Sequence, residues 1–403
     1  MDRKFDIIVV GAGLVGLSTA FKIQQKMPNK RILILEKETS VSLHQSGRNS
    51  GVLHSGLYYN PGSLKADNCV KGRRELVDFA IKHKIKHDVC GKLVVATNQK
   101  ELSFLPKLLN RGIKNGLKKL EILNPSEMKE REPFVSGLGA IFVPETGIID
   151  YKQVAHKLVD LIKKINSKSG VITNSEVSDF YRNEKHSVVV TNKQKFYCEN
   201  IIFCAGLFSD RLAKKDGLKL DLKIVGFRGD YYTLTDQASH KVNNLIYPVP
   251  NPEFPFLGVH FTRMTCNEIE CGPNAVFTFK REGYKKGDFN FKDTLDALNY
   301  LGTWKLFAKH WRFGLNEIVK ASSKRVFLHN LKKLIPSLAI DDIVEGRSGV
   351  RAMALGSNGD VIDDFKIVQV NKNIHVLNAP SPAATACLSI GESISQIYLN
   401  QKN

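Results

Sequence analysis

The pattern that most restricts this chain lies near its start. The apolar run Phe5 to Val10 (FDIIVV) stops at Gly11, and Gly11-x-Gly13-x-x-Gly16 follows at once. Apolar Leu14, Val15, Leu17, Ala20, Phe21 and Ile23 predict a helix over 14–27, stopped by Pro28-Asn29. A second apolar run, Arg31 to Leu35 (RILIL), ends at Glu36, 20 residues after Gly16. Strand, turn, helix and strand form one unit whose crossover makes the strands parallel. Gly11 allows the tight turn, Gly13 lets backbone approach a pyrophosphate, and Gly16 lets the helix pack on the strand. The helix N-terminus offers N–H groups and partial positive charge to phosphates. Glu36 is placed to accept a hydrogen bond from a ribose hydroxyl, and an acid there disfavours a 2′-phosphate. The unit predicts a dinucleotide, and its spacing alone leaves NAD and FAD open.

Two features favour FAD. Residues 200–206 (NIIFCAG) read as a late buried strand ending in Ala205-Gly206, where backbone can run close to a cofactor. Residues 42–56 (SLHQSGRNSGVLHSG) form a long loop of small and hydrogen-bonding residues, suited to an extended cofactor.

The chain has 403 residues, enough for two or three domains, and its 42% hydrophobic and 25% charged residues are ordinary globular usage. This excludes a disordered, collagen-like or multi-span membrane chain, and no apolar run approaches the ~20 residues needed to cross a bilayer. Met1-Asp2-Arg3-Lys4 leads directly into the first strand, too short an apolar run for a signal peptide. A cytoplasmic protein is expected, peripheral at the inner face of the membrane if its basic segment docks there. The 7 cysteines, odd in number and without C-x-x-C spacing, argue against a disulfide framework or a zinc site, and no metal is expected.

Further along, 66–86, 101–120 and 151–168 read as helices, and 92–96 (KLVVA), 171–173 and 187–191 as strands. Residues 226–280 are strand-like and rich in Tyr, Phe and Pro, which suits an antiparallel sheet. Residues 293–335 read as helical and basic. Strands are expected at 366–370 and 374–378, then a Pro/Ala/Ser turn and a helix from about 387. The expected architecture is α/β: a doubly wound, Rossmann-type cofactor domain (1–90, 150–225 and 340–403) interleaved with a substrate domain (91–149 and 226–339).

Several blocks resemble the FAD-dependent, D-amino-acid-oxidase-like superfamily. They include Arg48 to Tyr59 (RNSGVLHSGLYY), Pro61 to Ala66, Val143 to Asp150, Phe227 to Tyr232, Ile246 to Pro250, Phe256 to Arg263, Gly272 to Ala275, Gly349 to Ala352 and Asn378 to Thr385 (NAPSPAAT). The closest resemblance is to the branch that oxidises L-2-hydroxyglutarate to 2-oxoglutarate and passes electrons to a membrane quinone or, less effectively, to oxygen. Another oxidoreductase of the superfamily, acting on glycerol 3-phosphate or an amino acid, is the alternative. A non-enzymatic FAD-binding module at a membrane or nucleic acid is a third. The basic residues carry no recognised nucleic-acid motif, so no nucleic-acid partner is expected. The resemblance implies FAD contacts at Gly11, Gly13, Gly16, Glu36, Lys37, Ser46, Arg48, Asn49, Ser50, Val177, Ala205, Gly206, Gly349, Arg351, Ser381, Ala384 and Thr385.

Oxidising a 2-hydroxy acid needs a base for the hydroxyl proton and cations for carboxylates. Histidine suits the base. His54, in the long loop, is the first candidate, His260 the second and His375 a third. Arginine suits a carboxylate through its bidentate fork; Arg351, Arg263 and Arg281 are the candidates. Tyr58, Tyr59 and Tyr247 add hydroxyl donors. The turn Ser381 to Thr385 is expected to aim N–H groups at the reduced flavin, or to cap the helix that follows through Ser381 or Thr385. Residues 299–335 carry 8 Lys/Arg against Glu317 alone, with both tryptophans of the chain. That is the composition of a membrane-surface element, the alternative being a solvated basic face. The net charge of +19 has the same two readings.

Overall fold

The structure is a computed structural model, and it describes residues 3–250 and 258–401. Phe256 and Leu257 of the Phe256-to-Arg263 block lie outside the described residues, as do Met1 and Asp2.

The glycine fingerprint sits where its spacing predicts. Strand Ile7–Val10 pairs in parallel with Ile32–Leu35 on one side and Asn200–Phe203 on the other. The sheet continues to Gly170–Ile172 at one edge, and through Asn373–Asn378 to the antiparallel edge strand Lys366–Val370 at the other. Every residue of the three central strands is buried, as expected of parallel strands covered on both faces. Helices Leu14–Lys26, Tyr151–Ile165 and Cys387–Asn400 cover one face. Their packing is close: a Cβ at Gly391 would lie 2.6 Å from the Ser18 backbone. A small antiparallel sheet covers the other face, with Phe180, Val189 and Phe196 seated on Ile8, Val10, Leu33 and Leu35. Its strands are Val177–Arg182, Ser187–Thr191 and Lys195–Cys198.

The second large sheet runs Val276–Phe277, Leu222–Leu234, Ile269–Gly272, His260–Arg263, Leu245–Pro248, Lys92–Ala96, Gly139–Val143, Glu121–Leu123. It is antiparallel as expected, except where Leu245–Pro248 runs parallel to Lys92–Ala96. Strand Ile343–Gly356, inside the stretch expected for the cofactor domain, joins this sheet by pairing along Leu222–Leu234. One face is closed by helix Lys324–Leu331 over Leu93, Ile246, Phe261 and Cys271. The other carries Leu245 and Tyr247 against Val52 and Ile148. Val52–Leu53 is a short strand within the loop expected to be irregular; it pairs with Gly147–Ile149. The helix expected over 101–120 is Gln99–Lys114, started by the Asn98 side chain and ended before Gly116 at φ +79°. The basic segment forms Phe291–Leu298, Leu301–Ser322, broken by non-helical backbone at His310, and Lys324–Leu331.

Candidate active site

The fingerprint forms a tight cradle. Gly11 has φ +102°, and a Cβ there would lie 2.4 Å from the Cys204 carbonyl oxygen. A Cβ at Gly16 would lie 2.1 Å from the Gly11 carbonyl oxygen. Helix Leu14–Lys26 starts at Gly13 without a side-chain cap from that residue and has no acid in its first turn. Such an end suits a phosphate. Ser46 Oγ approaches from the long loop and accepts from the Leu14 amide at 2.9 Å. Glu36 is buried; its carboxylate accepts from the Ala12 amide at 2.8 Å and the Glu38 amide at 3.0 Å. Val177 begins a strand two residues beyond Ser175, whose amide bonds the Glu36 carbonyl. These residues fit the adenosine and pyrophosphate half of a dinucleotide. Lys37 lies between Glu282 at 2.8 Å and Glu38, with His44 Nε2 at 3.1 Å.

The loop is held from both sides. Asn49 Nδ2 donates to the Gln45 and Ser46 carbonyls, and its Oδ1 accepts from the Gly51 amide at 2.9 Å. The Arg48 guanidinium stacks 4.1 Å from the Tyr284 ring centre, and its backbone carbonyl is where a Cβ at Gly349 would collide, at 2.3 Å. Arg347 donates to the Gly47 carbonyl at 3.0 Å and the Asn49 carbonyl at 2.7 Å, while its Nη2 reaches Glu270 at 3.1 Å. Gln45 Oε1 accepts from the Ala352 amide at 3.1 Å, and a Cβ added at Gly206 would lie 3.0 Å from Gln45 Nε2. Arg347 and Gln45 escaped sequence reading, since neither stands in a recognisable spacing.

Thr385 anchors the C-terminal turn. It is fully buried; its Oγ1 accepts from the His54 amide at 3.1 Å and lies 2.9 Å from the Tyr151 hydroxyl. Neither Ser381 nor Thr385 caps the following helix, which begins at Ala386 with no side-chain cap. The Thr385 hydroxyl is spent on the Val52 carbonyl instead. Ser381 reaches Tyr59, and Ser50 reaches Tyr247.

His54 lies within electrostatic reach of His260 on the large sheet. Tyr247 and His260 stack with ring centres 4.0 Å apart. His260 Nδ1 lies 2.9 Å from the Gly258 carbonyl, which can only accept, so that nitrogen carries the proton and Nε2 keeps its lone pair. Burial holds both histidines neutral, at about 3. Lys92 and His260 add to this at His54; Arg351 and Lys92 add to it at His260. Lys92 itself is 1% exposed, with its ammonium 4.5 Å from the Tyr58 ring centre and 4.8 Å from that of Tyr247. Burial pulls it down to about 7. The Tyr58 hydroxyl is buried with no hydrogen-bond partner among the described residues. Lys92 was legible only as a lysine opening an otherwise apolar strand.

Three expected residues are used elsewhere. Arg281 is buried and paired with Asp210 and Asp296, with a further bond to the Leu207 carbonyl, so its fork is satisfied within the protein. His375 sits in the parallel sheet, stacked on Phe203 at 4.4 Å and bonded to Asp216 at 2.7 Å. Arg263 alternates to the face opposite His260 and Thr262 and pairs with Asp88 and Asn244. Its position beside His260 in sequence is what puts it on the wrong face.

Similarity to known proteins gives the family. Residues 6–397 match the FAD dependent oxidoreductase family. The chain is 46% identical over 398 residues to L-2-hydroxyglutarate dehydrogenase of Indibacter alkaliphilus, covering 98% of this chain and 99% of that one. It is 40% identical over 408 residues to the mitochondrial L-2-hydroxyglutarate dehydrogenase of Homo sapiens, covering 97% and 88%. In fold it is similar to FAD-bound L-alpha-glycerophosphate oxidase from Mycoplasma pneumoniae, with a TM-score of 0.80 at 22% identity over 99% of this chain and 95% of that one. Glycine oxidase from Geobacillus kaustophilus follows at a TM-score of 0.74 and 15% identity, covering 99% and 95%. With matches of this extent, the chain belongs to the FAD dependent oxidoreductase family, in the group of the L-2-hydroxyglutarate dehydrogenases.

Proposed function

We propose that the protein oxidises L-2-hydroxyglutarate to 2-oxoglutarate. The observation that supports this reading is that His260 acts electrostatically on buried His54, and Arg351 and Lys92 on buried His260, beside the Thr385 turn that holds the His54 amide. FAD, when bound, supplies the acceptor for the hydride leaving the substrate carbon. Gly11, Gly13, Gly16, Ser46 and Glu36 hold its adenosine and pyrophosphate half. The Arg48–Asn49–Ser50 loop, Ala205-Gly206, Gly349 and the turn at Ser381 to Thr385 wrap the rest.

His54 takes the hydroxyl proton. Its ring makes no hydrogen bond among the described residues, whereas the His260 ring is oriented by Gly258. Both imidazoles are neutral, as a base must be. An arriving anion raises their basicity by offsetting the neighbouring cations, so proton affinity rises only once substrate is in place. Arg351 receives the carboxylate beside the hydroxyl through its planar fork. Tyr247, stacked on His260, and Tyr59, next to Tyr58 in the chain, add hydroxyls. Lowered polarity around the histidines excludes water from the reacting atoms.

Electrons leave to a quinone in an anionic bilayer met through 299–335. What supports this is the exposure of Trp304 before the break at His310 and of Trp311, Leu315 and Ile318 at helical spacing after it, beside exposed Lys305, Lys309 and Arg312. Among the described residues no helix is long and apolar enough to cross a membrane.

Anaerobic mixing with L-2-hydroxyglutarate, followed by flavin absorbance, tests the reading. Rapid bleaching is expected with the L enantiomer and slow bleaching with the D, whose C–H bond the same clamps would turn away. Bleaching by glycerol 3-phosphate or an amino acid in its place would overturn it.

A further inference from the structure

Lys92 is a lysine enclosed by the protein without an anionic partner among the described residues. It is 1% exposed, and among the described residues it makes no salt bridge and no hydrogen bond. Buried lysines are rare unless paired. Here the supporting groups are two aromatic faces, Tyr58 at 4.5 Å and Tyr247 at 4.8 Å. Ring faces favour a cation over a neutral amine and leave its hydrogen-bond donors unused, while burial works against the charge. The Tyr58 hydroxyl beneath it is likewise buried and unpartnered among the described residues. Lys92 and Tyr58 thus bring four donors to one neighbourhood, three on the ammonium and one on the phenol, with no acidic partner for either among the described residues.

The strand order separates two cationic positions. Lys92 lies on Lys92–Ala96, Tyr247 on the next strand and His260 on the one beyond, while Arg351 lies on the strand paired with Leu222–Leu234 further along. Both cations bear on His260 from their own sides. A ligand with one anionic group answers one of them; a ligand with an anionic group at each end answers both.

We propose that Lys92, with the Tyr58 hydroxyl, binds the carboxylate at the far end of the substrate and so makes the site selective for a dicarboxylate over a monocarboxylate 2-hydroxy acid. This rests on the reading that the site oxidises a 2-hydroxy acid held at Arg351. The depressed affinity of Lys92 for its proton agrees: burial alone holds it near 7, and a paired carboxylate restores the charge. A lysine acting instead as the general base would use the same depressed affinity, but it would serve both substrate classes equally.

Lys92→Met keeps the length and removes the charge. It is compared with the parent holoenzyme on L-2-hydroxyglutarate and on (S)-2-hydroxypentanoate, which has the same five carbons and a methyl end. We expect kcat/KM for the diacid to fall by about 10- to 100-fold, the range for a lost charged hydrogen bond, mostly through KM. The monoacid should change little, so the preference collapses. Lys92→Arg, which retains a cation, should keep the preference. Glutarate, which has both carboxylates and no hydroxyl to oxidise, should raise the Tm of parent holoenzyme and not that of Lys92→Met. If the parent oxidises neither hydroxy acid yet glutarate stabilises it through Lys92, the substrate reading fails and the carboxylate site stands. An equal loss on diacid and monoacid, or glutarate stabilisation undiminished in Lys92→Met, overturns the assignment. Should Lys92→Met fail to hold flavin, the same two substrates and glutarate are read on Lys92→Gln and Tyr58→Phe. Unchanged preference in both would overturn it equally.

Discussion

The Glu36 carboxylate accepts the Ala12 amide at 2.8 Å, tying the end of the second strand to the middle of the glycine turn. The acid thus braces the glycine turn, and its other oxygen accepts the Glu38 amide; on the proposed reading that oxygen also takes a ribose hydroxyl. Glu36→Gln keeps the shape and loses the charge. A charged hydrogen bond is worth about 1.5–3 kcal/mol, so FAD should bind about 10- to 100-fold more weakly. Titration of apoprotein by flavin fluorescence measures this. Affinity equal to the parent's would remove Glu36 from the cofactor site.

Gly349 and Arg48 meet where the large sheet touches the long loop. A Cβ at Gly349 would lie 2.3 Å from the Arg48 carbonyl, a backbone atom that moves only with its loop. Gly349→Ala should cost about 1–3 kcal/mol, the range for overpacking, and should loosen flavin retention because Ser46, Arg48 and Asn49 share that loop. Gly170→Ala is the control: nothing lies within 4 Å of its added Cβ. Thermal melts and flavin release on gel filtration give both readouts. Equal behaviour of the two variants would show that the loop yields without consequence.

How much of this was legible depends on the range of the signal. The β-turn-α-β unit announces itself because its chemistry is local: three glycines, one acid and a crossover within a few dozen residues. The substrate face is assembled from strands far apart in the chain, so no spacing reports it. Lys92 and His260 both reach Tyr247, because Leu245–Pro248 lies between their strands. Arg263 misled because neighbours in a strand point to opposite faces. Arg281 misled because sequence does not reveal Asp210, 71 residues earlier, as its partner. His375 is the same case with Asp216.

The neutral state of His260 makes stability depend on pH. Its folded affinity for a proton is held at about 3 by burial, Arg351 and Lys92, against about 6.5 in an unfolded chain. Above 6.5 neither state carries the proton, and the group has no effect. Below it the unfolded chain takes up a proton that the folded chain refuses, so stability falls as pH drops from about 6.5 towards 3. His260→Asn removes one such site. Its stability should decline less steeply across that window, by about one proton. Urea denaturation at a series of pH values gives the slopes. Parallel slopes for parent and variant would mean that His260 is protonated in the fold.

The basic helices supply the last test, because two kinds of surface share them. Trp304 and Trp311 are 55% and 56% exposed on either side of the break at His310, and exposed Leu315 and Ile318 follow Trp311 at helical spacing. A large exposed apolar face flanked by cations fits a bilayer surface better than bulk water. The cations are not all free for lipid: Lys309 pairs with Asp360 at 3.0 Å, and Arg312 stacks 5.2 Å from the Trp311 ring centre. Both pair members are exposed, so the ion pair is weak and yields to a lipid phosphate at little cost. Replacing Lys305, Lys309 and Arg312 by Gln should lower binding to anionic vesicles, each cation contributing about 1 kcal/mol near such a surface. Trp304→Ser with Trp311→Ser should lower it further and make the remainder more sensitive to salt, since the apolar part is gone and charge is screened. Both variants should reduce a soluble dye at the parent's rate, because the segment lies apart from the histidines, and both should lose quinone reduction in vesicles. Vesicle binding as strong as the parent's at low salt would leave these helices as a solvated face.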